Sequence, residues 1–432
     1  MTVIEPFRGL RYDPARVDGS DVIAPPYDVV SADDVAALLG QSLYNIAHIE
    51  SVPGEGDAKY EAAASALRAW EDDGVLRRDD APAYYAYEQR FAVPGESRQA
   101  IRRVFFTRMH ISSREAGIVR PHEATLSAAK EDRLRLLKAT HTNVSPIFAM
   151  FSDPDHSAAM ILNTATQKPP AFEARDGRGD EHRLWVIDNP ADIEGLTSAV
   201  AAAPVTIADG HHRYETALNF LREREAAGGA TEAERSLLTG LVPQEDPGLI
   251  ILPIHRLIRA SAIPADFAAR LETLYAIEDV GAATEAAASI DGLLHRLRSA
   301  DPTVPTFGLL GLIPGRMHLL TAQMPHVMEA MPKRLSAASK AIDVLVLNDT
   351  VLEPILGLDV AARAAGEHIG FTEDAHKAWH AINRNEYHLA FLVRNVQPEQ
   401  VVAIADEGEL MPQKSTFYYP KLATGMVLNP LD

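Results

Sequence analysis

Short apolar runs of strand length alternate with amphipathic runs of helix length along all of this chain. That alternation constrains the fold more than any other feature. Helical runs alone build bundles and strands alone build sandwiches or barrels, whereas interleaved runs build α/β or α+β layers. Residues 83–91 and 102–108 read as two strands, and Pro94-Gly95 between them predicts a hairpin. Ser31 caps a helix starting near Asp33-Asp34, whose acids suit the positive helix end. An Ala-rich helix over 58–73 ends before Gly74, and another helix covers 124–139. Strands follow at 144–151 and 184–187, while 152–203 is otherwise polar, Gly/Pro-punctuated and without a clear period. Residues 249–257 read as one apolar strand, and 263–300 as helices with a short strand. A hairpin turns at Pro314-Gly315, a strand covers 387–393, and a helix starts near Pro398.

The expected class is therefore mixed α/β (α+β). At 432 residues the chain is long enough for two or three domains. We place a boundary near 260, giving a domain over 1–260 and a C-terminal α/β domain over 261–432. No internal repeat is visible.

The charge balance is 41 basic against 60 acidic residues, a net −19. Such a surface repels phosphate backbones and anionic lipids, and no block of like positive charge offsets it. Neither nucleic acid nor membrane is an expected partner. There is no cysteine, which excludes disulfides, thiolate nucleophiles and cysteine metal sites. No run reaches the roughly 18 apolar residues of a membrane span, and Met1-Thr2-Val3-Ile4-Glu5-Pro6 has no signal-peptide character. A cytoplasmic location is expected. The oligomeric state is not legible.

The densest chemistry lies in Val205-Thr206-Ile207-Ala208-Asp209-Gly210-His211-His212-Arg213-Tyr214. Val205 and Ile207 suit a buried strand, and Tyr214, Ala217, Leu218 and Leu221 share one helix face that Gly228-Gly229 can end. Between strand and helix stand a carboxylate, two imidazoles and a guanidinium. A helix N-terminus offers free N–H groups and partial positive charge, so it suits a phosphate. Arg213 has the fork for phosphate oxygens, and Asp209 suits a metal or a donor hydroxyl. The competing reading is a strand–turn–helix with a charged cap.

Arg120-Pro121-His122-Glu123 precedes the next candidate helix. Read alone, Glu123 is an acidic helix cap; facing the Asp209 loop, it would be a general base for a substrate hydroxyl. Near the C-terminus, Met411-Pro412-Gln413-Lys414-Ser415-Thr416-Phe417-Tyr418-Tyr419-Pro420-Lys421 reads either as an anion site or as a solvated loop. Pro25-Pro26-Tyr27-Asp28 is a stiff turn that presents two polar groups. P-loop, zincin, nucleophile-elbow and dinucleotide-loop signatures are missing.

On these segments, together with Leu252-Pro253-Ile254-His255-Arg256, the chain is identified as a member of an uncharacterised prokaryotic family of unknown function, number 1015. Asp209-Gly210-His211-His212-Arg213 also resembles the loop of archaeal free-serine kinases of the ParB/sulfiredoxin superfamily. That resemblance implies a ParB/sulfiredoxin-like nucleotide-binding core with insertions, 152–203 among them. It implies that Gly210 to Arg213 hold donor phosphates and that Glu123, in the upstream His122-Glu123 pair, is the base. Sulfiredoxin chemistry is excluded, because His211 stands where its cysteine would be.

The expected activity is phosphoryl transfer from ATP, ADP or pyrophosphate to a small hydroxyl compound, with free serine as the guess. Asp209 would hold Mg²⁺ or orient the acceptor. Arg120 or Lys414 would neutralise transferred charge, with Ser415 and Thr416 as donors once the tail returns to the site. His211 and His212 are acid–base candidates. The alternatives are a non-catalytic nucleotide-binding regulator and a phosphate-ester hydrolase.

Overall fold

The computed structural model describes residues 1–123, 127–282 and 287–432. Contacts divide the chain into two units. The first comprises Met1–Pro121, Thr125–Ile250 and Pro420–Asp432, and the second His122–Ala124 and Ile251–Tyr419. The sequence boundary was placed near 260; the chain changes unit at 250/251 and changes back at 419/420.

The first unit is built on a nine-stranded mixed sheet. Its strands are β1 (Ile4–Glu5), β2 (Tyr84–Ala92), β3 (Gln99–His110), β4 (Val119–Arg120), β5 (Ile147–Phe151), β6 (Phe172–Arg175), β7 (Glu181–Ile187), β8 (Val205–Asp209) and β9 (Ser236–Pro243). They lie in the order β4-β8-β5-β9-β3-β2-β7-β6, with β1 on β3. Two pairings are parallel, β8 with β4 and β9 with β5; the others are antiparallel. The hairpin around Pro94-Gly95 is β2–β3. Central strands read as unbroken apolar runs, Ile147 to Phe151 among them, because both faces are covered. The main core gathers Phe105, Ile147, Phe151, Trp185, Leu196, Val205, Ile207, Tyr214 and Leu241.

The helix at Ala32–Gln41 starts on Ser31 with a reciprocal Ser31–Asp34 capping box. Ala58–Asp72 forms the expected Ala-rich helix. The helix expected over 124–139 is described as Ser127–Thr140; residues 124–126 lie outside the described residues. Two helices stand in the stretch without a clear period, Ser157–Ala165 and Pro190–Ala201. The second has an Asn189 cap and proline in its first turn, both ordinary start signals.

The second unit holds a six-stranded antiparallel sheet of β10 (His255–Ile258), β11 (Tyr275–Ala282), β12 (Thr306–Leu310), β13 (Arg316–Ala322), β14 (Ile369–Thr372) and β15 (Leu389–Leu392). The order is β11-β13-β12-β15-β10-β14. Helices Ala287–Ser299 and Ala375–Asn383 cover it through Leu293, Leu297, Ala378 and Trp379. Residues 283–286, within the stretch read as helices plus a strand, lie outside the described residues. The single strand expected over 249–257 is a correction. It is two, Ile250–Leu252 and His255–Ile258, because Pro253 between them has no N–H for a ladder. Among the described residues, no helix is long and apolar enough to cross a membrane.

Candidate functional site

Strand β8 is buried through Val205, Thr206, Ile207 and Ala208 and surfaces at Asp209. The register against β5 shifts between Ile207 and Asp209, a bulge that re-aims the last residue of the strand. Gly210 then turns the chain at φ 88° into the sixteen-residue helix His211–Ala226. A β-carbon here would lie 3.0 Å from Ile147 and 3.1 Å from the Arg213 guanidinium, so glycine is required on two counts. No side chain of the cap residue bonds to the start of this helix.

Arg213 falls on the inner face, with Tyr214, Ala217 and Leu221. Its Nη2 donates to Asp209 Oδ2 at 2.9 Å and its Nη1 to the Pro146 carbonyl. Asp28 Oδ2 stands 3.9 Å from Nη2. Both terminal nitrogens are therefore held by protein oxygens, and the guanidinium works first as a cation that positions the loop.

The last thirteen residues return to this unit as a strap. Arg102, buried in β3 against the Phe148 ring, donates to the Pro420 carbonyl. Gln89 donates to the Lys421 carbonyl at 2.9 Å. Ala24 and Thr424 exchange backbone hydrogen bonds of 3.1 and 2.8 Å. These anchors bring Lys421 Nζ onto Asp209 Oδ1 and tie the strap to the residue just before Pro25-Pro26-Tyr27-Asp28. Three segments far apart in sequence thus meet: the 24–29 loop, the turn at 209–213 and Lys421.

Burial alone would raise the Asp209 carboxyl, but Lys421 and Arg213 outweigh it and hold the group well below the usual carboxylate range. Burial holds the His212 imidazole below its ordinary value against the pull of Asp28 and Glu215. That leaves a neutral ring at pH 7, able to accept a proton. Glu215 pairs with Lys130 at 2.7 Å. Behind the loop, Arg133 stacks on Tyr27 with 4.1 Å to the ring centre and lies 3.5 Å from buried Glu50. Ser145 donates to Glu50 at 2.6 Å. Burial pushes the Tyr27 phenol up to about 12. A cavity of about 50 Å³ is lined by Glu50, Arg133, Asn143, Ser145 and Arg213. That is space for water rather than a nucleotide. Larger cavities lie elsewhere, one of about 430 Å³ beside Arg90, Arg175, Arg178 and Asp180, another of about 390 Å³ beside Arg298 and Arg394. A ligand of the 209–213 turn would use its outer side, where Asp28 is exposed and His211 and His212 are half-buried.

The remaining sequence candidates fall as follows. Arg120 belongs to the first unit, opposite Thr206 on the parallel edge strand, and its Nε donates to the Gly117 carbonyl at 3.0 Å. His122, Glu123, Lys414, Ser415 and Thr416 belong to the second unit and cluster there. His122 Nε2 is 3.0 Å from Thr416 Oγ1. The Lys414 N–H donates to Glu123 Oε1 at 3.2 Å, and Ser415 Oγ donates to the Pro412 carbonyl at 2.6 Å. Buried Arg256 donates to the Lys414 carbonyl at 3.0 Å. The lysine on Asp209 is Lys421, five residues beyond the hydroxyl pair that sequence reasoning singled out. Asp28 was noted from sequence only as a polar group on the stiff Pro25-Pro26 turn, with no role given; the structure sets it 3.9 Å from Arg213.

Asp209 fits Mg²⁺ poorly. One oxygen accepts from an ammonium and the other from a guanidinium, and two adjacent cations repel a divalent ion.

A family model described as "Protein of unknown function (DUF1015)" matches residues 4–345. No curated protein matches the chain in sequence. Among solved structures, a free serine kinase in complex with AMP is similar at 12% identity and TM-score 0.34, covering 73% of this chain and 86% of that one. A conserved hypothetical protein from Pyrococcus furiosus is similar at 13% identity and TM-score 0.34, covering 74% and 92%. SbnI with C-terminal truncation, from Staphylococcus aureus, is similar at 10% identity and TM-score 0.33, covering 76% and 87%.

Proposed function

The chain belongs to the DUF1015 family, and on that premise we propose that it is a phosphotransferase whose phosphate site is the turn from Asp209 to Arg213. The observation that carries this reading is the meeting, within one unit, of Lys421, Arg213 and His211 around the Asp209 carboxylate at the start of a helix with no side-chain cap. Phosphoryl transfer asks a protein mainly for positioning and charge neutralisation. The N–H groups of the first helical turn and the Lys421 ammonium supply both. Arg213 and Asp209 fix the turn and aim Lys421. The acceptor oxygen attacks the terminal phosphorus and the bond to the bridging oxygen breaks. Lys421 and the helix end then meet the charge left on the departing group. No step here runs through a metal.

The nucleotide or pyrophosphate donor, the small hydroxyl acceptor with serine as first choice, and a ParB/sulfiredoxin-like core all rest on the sequence resemblance of the 209–213 loop. Glu123 keeps the role of base that this resemblance assigns. Asp28 with neutral His212 is the alternative base inside the first unit. A non-catalytic regulator is the second reading, favoured by the fact that Asp209 is already fully paired. Purified protein incubated with ATP, ADP or pyrophosphate, with and without serine, and followed by ³¹P NMR separates the two. A new phosphate-ester resonance that needs serine supports the kinase. Saturable nucleotide binding without turnover supports the regulator, and no binding at all removes the phosphate site.

A further inference from the structure

At the edge of the first unit three ligand-type side chains converge from separate segments: Glu5 on β1, His110 at the end of β3, and Glu232 just before the turn that leads into β9. Among the described residues they are the one group of three such side chains whose ligand atoms all lie within 4.8 Å of one another. His110 Nε2 is 3.0 Å from Glu5 Oε1 and 3.9 Å from Glu232 Oε1. Zinc bonds of about 2.0–2.2 Å in tetrahedral array set ligand atoms about 3.4 Å apart, between those two spacings.

Glu5 is also oriented from outside the group. Arg108 Nη2 holds Glu5 Oε2 at 3.2 Å, and Arg235 Nε stands 4.0 Å from Glu232 Oε2. Arg108 thus takes the far oxygen of Glu5 and leaves the near one turned to His110, whereas Arg235 pairs with Glu225 and leaves Glu232 unclamped. Glu5 and His110 are each 31% exposed and Glu232 is 67% exposed, so an ion can enter and complete its shell with water.

We propose that Glu5, His110 and Glu232 form a binding site for a first-row divalent metal ion, with Zn²⁺ the ion best matched to one imidazole and two carboxylates. The imidazole binds in the tautomer that carries its proton on Nδ1, which places the Nε2 lone pair on the ion. The bound ion ties the N-terminal strand and the turn ahead of β9 to the end of β3. It would raise stability by binding the folded state only. None of these residues belongs to the Asp209 site, so this inference and the phosphotransferase reading stand or fall separately.

The test is calorimetric titration of the metal-stripped full chain with Zn²⁺, paired with thermal melts. The chain has 16 histidines, so the decisive quantity is a difference between variants. We expect one saturable site in the wild type that is lost in His110→Ala, together with the zinc-dependent rise in Tm. Glu232→Gln, at an exposed position that folding does not need, should weaken binding at least tenfold. Equal stoichiometry and an equal Tm rise in the wild type and both variants would mean adventitious zinc elsewhere, and overturns the site. Absence of saturable binding in the wild type overturns it as well.

Discussion

Arg213 illustrates how a residue chosen for its chemistry can be committed to structure. Read from sequence, its fork suited phosphate. In the fold it is 9% exposed and donates to Asp209 and to the Pro146 carbonyl. Removing one partner of a buried charge network typically costs about 3–5 kcal/mol. Arg213→Ala should therefore lower the urea midpoint markedly; an unchanged midpoint would return the guanidinium to ligand binding alone. Lys421 carries the complementary expectation. Lys421→Met should weaken ADP or pyrophosphate binding by about 1.5–3 kcal/mol, the usual worth of a charged hydrogen bond, as read by calorimetry. Asp209 sets the pH dependence. Its carboxyl is lower in the folded chain than in the unfolded one, so the folded state releases the proton more readily. The stabilisation is complete above the ordinary carboxylate pKa of roughly 4 and is lost as pH falls through the lowered folded value. In Asp209→Asn this acid-limb loss should shrink, and an identical acid limb in both proteins would count against the ion pairs. Glu123→Gln against Asp28→Asn decides the base, with a loss of roughly 10²–10⁴ in turnover expected for whichever acts. Undiminished turnover in both variants assigns the base to neither residue.

At the scale of elements, the strand–turn–helix at 205–226 was legible because each part carries its own local signal. Val205 and Ile207 point to one face, glycine marks the turn, and Gly228 takes φ 72° just past the helix end. Gly210→Ala should cost more than the usual roughly 1 kcal/mol of a left-handed alanine. The new β-carbon also presses on Ile147 and Arg213, and thermal denaturation of the variant measures it. The helix Pro190–Ala201 was missed although Asn189-Pro190 announces it. The helix Ser157–Ala165 had weaker signals, starting from His156 at φ 57° with no side-chain cap. The strand pair around Pro253 shows the opposite error, where apolar continuity outweighed a residue that cannot donate to a ladder.

For the whole molecule, the C-terminal strap is the feature with the widest consequence. Leu422, Ala423, Met426, Val427, Leu428 and Leu431 are buried in the first unit. A β-carbon on Gly240 of β9 would come within 2.6 Å of Leu422, which is how closely the strap lies on the sheet. Each large apolar side chain contributes roughly 1.5–3 kcal/mol, and the net stability of a domain is only about 5–15 kcal/mol. Truncation after Tyr419 should thus unfold the first unit rather than merely empty the phosphate site. Circular dichroism of the truncated chain checks this, and a truncated protein that stays native and still binds nucleotide contradicts both roles of the strap. The sequence by itself determined the mixed α/β class, most of the regular elements and the strand–turn–helix at 205–226, because propensity and periodicity are local quantities. Only the tertiary structure decided that residues 420–432 fold with the first unit, that Lys421 is the lysine on Asp209, and that Asp28 belongs beside Arg213. Those outcomes depend on which buried carbonyls and carboxylates need partners once the sheet is assembled, and no window of sequence contains that demand.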